Sequence, residues 1–144
     1  MSVWAYLFFK EANRMSFEII IQETHLDVFG HVNNAKYLEI YEQSRWHHIT
    51  EKGYGLDKIK QTQQGPVILE AKIRFLKELK ERQKIKISLE LVDYEGKVGH
   101  LKQQMTNEKN EVMSDLILTF GLFDLKARKL IEPTAEWKKA IGVS

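Results

Sequence analysis

Several segments of the chain alternate between apolar and polar residues, the pattern that places one face of a β-strand on a core. Residues 69–75 and 85–91 follow this period closely, and residues 98–107 follow it more weakly. Residues 16–22 are rich in β-branched side chains, and residues 112–124 are apolar on both faces around their centre. These features predict five strands, the last of them buried on both sides.

A different period governs residues 34–52, where large or apolar side chains recur at the spacing of a helix. The stripe comprises Tyr37, Leu38, Tyr41, Ser44, Arg45, His48 and Ile49. Asn33 or Asn34 is a suitable N-cap, because an asparagine side chain accepts a hydrogen bond from a free amide of the first turn. Gly53 is a suitable residue to end the helix. A second, shorter helix is predicted over residues 134–141.

The order of these elements predicts the architecture. Turn-forming residues at 93–96 and 107–110 join consecutive strands closely, which makes the pairings mainly antiparallel. One long helix packed on the concave face of such a sheet is an α+β layer structure. No linker-like segment interrupts the pattern, so we predict a single domain over residues 1–144.

Composition narrows the function. The 144 residues carry a net charge of only +2, with both signs spread along the chain, which argues against nucleic acid as the partner. The absence of cysteine excludes disulfides, thiol nucleophiles and cysteine–zinc sites, and is consistent with a cytoplasmic protein. His47 and His48 are adjacent, so on a helix they diverge by about 100° and do not share a metal well. We therefore predict no metal site.

Near the start of the chain, residues 3–9 form an apolar segment that is too short to span a bilayer. No basic region precedes it and no small-residue cleavage site follows it, so a signal peptide is not predicted. We expect a short extra strand or helix that packs on the domain. A lid over a ligand tunnel and a contact with a membrane surface are the alternatives.

The polar segment 27–34 carries the candidate chemistry. It contains Asp27, Gly30, His31, Asn33 and Asn34 directly before the long helix. Backbone amides and the positive end of the helix dipole point outward at such a position. A carboxylate beside them suits a reaction in which an oxygen atom gains negative charge.

Together, this loop, the helix start and the strand order resemble the hotdog fold and its 4-hydroxybenzoyl-CoA thioesterase-type family, in particular the FadM-like acyl-CoA thioesterase branch. The residues that carry the resemblance are Asp27, Gly30, His31, Val32, Asn33, Asn34, Ala35 and Tyr37. Plant acyl-ACP thioesterases share a similar His-Val-Asn-Asn segment. Some relatives in the YbgC-like branch have a histidine where this chain has Asn34, so no catalytic role is transferred to that side chain.

The resemblance implies that the chain hydrolyses a fatty acyl-CoA to free acid and CoA. Asp27 would be the general base or the nucleophile, and the sequence does not separate the two. Gly30, His31, Asn33, Asn34 and Tyr37 would position the substrate. Read without the resemblance, Asp27 is a turn residue, both asparagines are caps and Tyr37 is a core residue with a satisfied hydroxyl. For His31, a structural role and a catalytic role have equal weight.

The resemblance also implies a homodimer or homotetramer in which the site lies between protomers. It implies no cofactor, with CoA entering as part of the substrate. Three alternatives stay open: an acyl-ACP thioesterase, a hydratase of acyl thioesters, and a hotdog protein that binds acyl thioesters without cleaving them. The charged run at residues 77–82 is expected to be a solvated turn, from which a cation could reach the CoA phosphates.

Overall fold

A computed structural model describes residues 2–4 and 14–143 of the chain. Its centre is an antiparallel sheet in the order β1-β3-β4-β5-β2, with β6 paired to β5 beyond the end of β4. The strands are β1 (Met15–Ile20), β2 (Gln64–Phe75), β3 (Lys84–Glu95), β4 (Val98–Thr106), β5 (Val112–Asp124) and β6 (Lys129–Ile131). The predicted α+β class, with a sheet of five to six antiparallel strands, is confirmed.

The long predicted helix is α1 (Asn34–Glu51). Asn33 is its N-cap, and Gly53 follows its last turn with a φ of +87°. Its buried face consists of Tyr37, Ile40, Tyr41, Ser44, His48 and Ile49. Leu38, which we placed on this face, is 41% exposed instead, and Ile40 takes a buried position because it lies one turn before Ser44 on the inner side.

Against this face of α1 pack β1, β3 and a terminal helix, α3 (Ala135–Ile141). Thr134 caps α3 by accepting a hydrogen bond from the amide of Trp137. Inside the core, the Tyr41 hydroxyl donates to Ser114 Oγ at 2.9 Å, which ties the middle of α1 to β5. The core therefore joins the helical layer to the centre of the sheet through both apolar and polar contacts.

Some elements were not predicted. A short helix, α2 (Leu56–Thr62), follows α1, and β6 adds a strand of three residues to the sheet. Both are too short to show a full period of either kind. β2 begins at Gln64, before the predicted alternation, and includes Pro66. Pro66 is tolerated because β2 lies at the edge of the sheet and pairs only with β5.

The N-terminal prediction lies largely outside the described residues, which include only residues 2–4 of that region. Within the described part of the chain, no helix is long and apolar enough to cross a membrane.

Candidate active site

The Asp27 loop is a tight turn that precedes α1. The Asp27 amide donates to the carbonyl of His31 at 2.8 Å, and the Gly30 amide donates to the carbonyl of Asp27 at 3.1 Å. Gly30 has a φ of +78°, a conformation that favours glycine. Leu26 and Val32 form an isolated bridge at the base of the turn. These bonds fix the position of Asp27 relative to the helix.

The Asp27 carboxylate is held by one of its two oxygens. Its Oδ1 accepts a hydrogen bond from the amide of Phe29 at 2.9 Å, as aspartates in turns commonly do. Within the described residues, its second oxygen has no hydrogen-bond partner, and the side chain is only partly exposed. The turn thus orients a carboxylate while leaving one oxygen available for a ligand or a water molecule.

The amides at the start of α1 are mostly occupied. The Asn33 amide donates to the carbonyl of His25, and the Ala35 amide donates to Asn33 Oδ1 at 2.9 Å. The Lys36 amide donates to the carbonyl of Asn33. Among the described residues, the Asn34 amide has no hydrogen-bond partner, and it lies at the positive end of the helix dipole.

A cavity of about 360 Å³, here called the site cavity, collects most of the predicted residues. It is lined by Asp27, His31, Val32, Asn34, Tyr37, Phe75, Leu76, Lys77 and Glu78. Four of the six predicted site residues therefore share one space. Gly30 and Asn33 do not line it, and they act on its shape through the turn and the helix cap.

His31 is oriented by Glu78 in this structure. Its Nε2 lies 3.1 Å from Glu78 Oε2, in the loop between β2 and β3. No contact between His31 and the Asp27 carboxylate occurs among the described residues. The imidazole therefore joins the Asp27 loop to the opposite wall of the site cavity.

Tyr37 forms the floor of the site cavity. It is 4% exposed, and its ring meets Phe75 edge-to-face with 4.9 Å between centroids. Burial raises the pKa of Tyr37, and a backbone hydrogen bond at Leu79 partly opposes that shift. The side chain is therefore a neutral, rigid surface at neutral pH.

Five lining residues were not predicted as part of the site: Val32, which lies within the predicted loop, and Phe75, Leu76, Lys77 and Glu78. The charged run at 77–82 was expected to be a solvated turn, yet its first two residues form a wall of the site cavity. Residues 75–78 lie far from Asp27 in sequence, and tertiary contacts bring them close, among them the hydrogen bond from the Val32 amide to the Leu79 carbonyl at 2.9 Å.

A basic groove of about 550 Å³ continues from the site cavity, and Lys77 and Glu78 line both. Lys77 pairs with Glu111, and Arg82 pairs with Glu23 at 2.6 Å. Three further cations of the groove have no carboxylate within 4.0 Å in the part of the chain that the structure describes: Lys80, Lys84 and Lys109. This leaves a local excess of positive charge beside the site.

A third, apolar cavity of about 170 Å³ lies under the second half of α1, and we call it the tail cavity. It is lined by Glu42, Arg45, Trp46, Ile49, Pro66, Ile68, Leu89, Leu101, Phe120, Trp137 and Ile141.

Among the described residues, no group of three or more histidines and carboxylates is arranged to hold a metal ion.

Comparisons with known proteins identify the family. The model of the thioesterase-like superfamily matches residues 21–141. The long-chain acyl-CoA thioesterase FadM of Escherichia coli strain K12 is 30% identical over 128 residues, which cover 88% of this chain and 96% of that protein.

Solved structures give the same answer for the fold. The probable thioesterase YbaW of Escherichia coli is 29% identical with a TM-score of 0.78, and the match covers 88% of this chain and 95% of that one. The Staphylococcus aureus protein SAV2348, solved in complex with CoA, has a TM-score of 0.83 at 18% identity, over 89% of this chain and 81% of that one.

Proposed function

This chain belongs to the thioesterase-like superfamily, adopts the hotdog fold and is a thioester hydrolase, and we propose that it hydrolyses fatty acyl-CoA with Asp27 as its essential acid. One observation carries the proposal. Asp27, with a free carboxylate oxygen, and Asn34, with a free helix-start amide, line the same cavity.

The proposed reaction follows from these two groups. The thioester carbonyl oxygen accepts a hydrogen bond from the Asn34 amide, which stabilises the negative charge that develops on it. Acting as a base, Asp27 removes a proton from water, the resulting hydroxide attacks the carbonyl carbon, and the carbon–sulfur bond breaks. The thiolate then takes the proton back from Asp27. Acting as a nucleophile, the same carboxylate attacks the carbonyl carbon, and the carbon–sulfur bond breaks to leave an anhydride and the thiolate. Water then opens the anhydride to the free acid and the aspartate, and the thiolate takes up the proton that this releases.

His31 and Tyr37 shape the site in this proposal. The contact of His31 with Glu78 holds the far wall, and Tyr37 supports the helix start from below. Gly30 and Asn33 act indirectly, through the turn that orients Asp27 and the cap that leaves the Asn34 amide free. We infer no metal or redox cofactor, because base-assisted attack on a polarised thioester needs none.

CoA is the carrier we favour over acyl carrier protein. Its phosphates lie at the far end of the pantetheine arm from the thioester, and the basic groove that continues from the site cavity carries cations suited to them. FadM is named as an acyl-CoA thioesterase, and SAV2348 was solved with CoA bound. A fatty acyl group is favoured because the tail cavity has largely apolar walls.

We also propose a homodimer that pairs two β2 strands. β2 lies at a sheet edge and carries half-exposed apolar side chains, among them Ile68 and Leu69. Antiparallel pairing of two copies about a two-fold axis places the Phe75 end of one strand beside the Pro66 end of the other. The site cavity of one protomer would then adjoin the tail cavity of its partner. Assembly into a tetramer is the alternative, and sedimentation velocity distinguishes the two.

The proposal is tested by thiol release from acyl-CoAs of graded chain length. Wild type should turn over, and Asp27→Asn should lower kcat by about a thousandfold while the protein stays folded. Asp57→Asn, which changes an exposed aspartate at the start of α2, is the matched control and should leave kcat unchanged. Absence of thiol release by wild type from every acyl-CoA would refute CoA hydrolysis and leave acyl-ACP cleavage or passive binding.

A single turnover in water labelled with oxygen-18 tests whether Asp27 acts as a general base or as a nucleophile. A general base delivers the label only to the released acid. A nucleophile whose anhydride is opened at the aspartyl carbon incorporates the label into Asp27, where mass spectrometry of the peptide detects it.

A cytoplasmic location rests on the cysteine-free sequence alone and stays a prediction.

A further inference from the structure

Two charged side chains, Glu42 and Arg45, line the otherwise apolar tail cavity. Arg45 lies on its wall, and Nη1 of its guanidinium donates to Gln103 Oε1 at 2.9 Å. Gln103 is fully buried on β4, and its Nε2 donates to the carbonyl of Tyr41 at 3.4 Å. The guanidinium is therefore held in place by a neutral amide that is itself fixed.

The positive charge of Arg45 has no direct counter-ion in the described residues, since no carboxylate there lies within 4.0 Å of it. Glu42 is the acid that acts on it from a distance, while Glu42 Oε1 accepts a hydrogen bond from Trp46 Nε1 at 3.2 Å. Burial lowers the pKa of Arg45 to about 10. A partly buried cation with only a neutral partner is unfavourable, and an anion bound beside it would relieve that cost.

The space next to Arg45 has the size and surface of a ligand site. Its volume of about 170 Å³ exceeds that of engineered apolar cavities of about 150 Å³ that bind benzene. Phe120 and Trp137, with ring centroids 6.2 Å apart, give part of the cavity a rigid aromatic wall. The cavity therefore suits a short run of methylene groups that ends in a polar atom near Arg45.

We propose that the tail cavity binds the far end of an acyl chain that terminates in a carboxylate, with Arg45 as the residue that determines this specificity. The substrate class is then the monothioester of a dicarboxylic acid. This inference rests on the proposed hydrolysis for the thioester end, and on the cavity alone for the carboxylate end. The cavity selects by charge, because the partly buried Arg45 guanidinium gains a direct counter-ion from a carboxylate and gains none from a methyl group.

Another source of a counter-ion is an acid supplied by a second copy of the chain. In that case Arg45 would stabilise the assembly and would not select a ligand. The two explanations predict different effects of Arg45 substitutions on the dimer, so the test includes the oligomeric state.

The probes are octanoate and octanol, which share a chain and differ in charge, and the signal is tryptophan fluorescence. Two of the three tryptophans, Trp46 and Trp137, line the cavity. Wild type should bind octanoate at least about tenfold more tightly than octanol. Arg45→Met should remove that preference and leave octanol binding within about twofold, whereas Arg45→Lys should keep part of it.

Controls keep the outcome interpretable. Arg128→Met changes an exposed arginine near the Phe123 ring and should leave both affinities unchanged. Leu101→Phe fills the cavity and should weaken both ligands together, with folding checked by thermal unfolding. The proposal is overturned by equal binding of the two ligands to wild type, by no binding of either, or by a preference that persists in Arg45→Met. It is also overturned when Arg45→Met converts a dimer to monomers without changing the preference.

Hydrolysis separates this proposal from the preceding one. The ratio of kcat/KM for the monothioester of decanedioic acid to that for decanoyl-CoA should fall about tenfold or more in Arg45→Met. Charge-selective octanoate binding without any thiol release would refute hydrolysis and support the cavity site. Turnover whose ratio ignores Arg45 would refute the cavity site and support hydrolysis.

Discussion

The two ends of α1 border cavities of opposite character. At its start, the site cavity has polar groups on its Asp27 side, which are held by hydrogen bonds between residues close in sequence, such as the Phe29 amide with Asp27 and the Ala35 amide with Asn33. Its opposite wall, residues 75–78, comes from the end of β2 and the loop that follows it. Under its second half, the tail cavity has largely apolar walls and is built from α1, β2, β3, β4, β5 and α3. Local hydrogen bonding can hold the reacting groups, whereas the walls around them and the whole tail cavity need the fold.

This difference implies that the two regions should respond independently to substitution. Asp27 and Arg45 belong to separate cavities in one protomer and are joined by a rigid helix. Changes at the first end should act on the rate of bond cleavage, and changes at the second should act on which ligand binds. Effects of distant residues with no shared partners are usually additive.

The largest expected effect comes from Asp27→Asn combined with a binding measurement at the other end. We expect kcat to fall by about a thousandfold, because loss of a general base commonly costs a hundred- to ten-thousandfold. Octanoate binding in the tail cavity, followed by tryptophan fluorescence, should stay within about twofold of wild type. A parallel loss of octanoate binding would show that the two ends act as one site.

The features that the sequence predicted correctly are local patterns, and the site residues that it missed depend on tertiary contacts. The strand periods and the Asn33 cap were found because each is a local pattern, and the Asp27 loop was found because its turn and cap residues are contiguous. Glu78 and Arg45 were not assigned as site residues. Glu78 reaches the site cavity through tertiary contacts such as the pairing of Val32 with Leu79, and Arg45 is an ordinary member of a helical stripe until Gln103 is seen to lie opposite it.

Short elements were missed for a different reason. β6 and α2 contain too few residues to display a period, so they depend on the strands and turns around them. Leu38 and Ile40 differ by about 200° around a helix, and choosing the buried one requires knowing where the sheet lies. The sequence thus predicted the helical layer and the sheet, whereas tertiary packing decides which side chains of the helix face the sheet.

The second prediction concerns the bond that anchors the helix between its two ends. Tyr41→Phe should lower the free energy of unfolding by about 1.5 kcal/mol, because Ser114 Oγ is left buried without its donor. Ser114→Ala should cost a similar amount, and the double variant should cost less than the sum. Urea denaturation measures all three, and strict additivity would mean that the hydroxyls do not interact.

The third prediction concerns a substitution that should affect only the start of α1. Asn33→Ala removes the acceptor for the Ala35 amide and should cost about 1 kcal/mol of stability. It should also reduce kcat/KM several-fold, because a second free amide and a looser first turn disturb the Asn34 donor. Asn33→Asp, which keeps an acceptor oxygen, is the matched control. Octanoate binding should not change in either variant.

The smallest effect is a pH dependence that comes from His48 on the buried face of α1. Its side chain is 5% exposed, its Nε2 has no hydrogen-bond partner among the described residues, and its ring meets Phe17 edge-on with 6.4 Å between centroids. Burial lowers the pKa of His48 below its usual 6.5, and the nearby His47 lowers it further. The unfolded chain therefore takes up a proton at a higher pH than the native protein does. Stability from this group is fully present above about pH 6.5 and decreases as the pH falls toward the lowered native pKa.

Two variants that cannot titrate test this origin. His48→Leu and His48→Gln should each lose less stability than wild type does between about pH 7 and pH 5, because one proton is no longer linked to unfolding. Their stabilities at neutral pH should differ, since glutamine keeps a buried polar group and leucine does not. Urea midpoints at both pH values provide the measurement. An unchanged pH slope in both variants would place the titrating group elsewhere, and a change in kcat that follows the same slope would show that the interior of α1 couples its two ends.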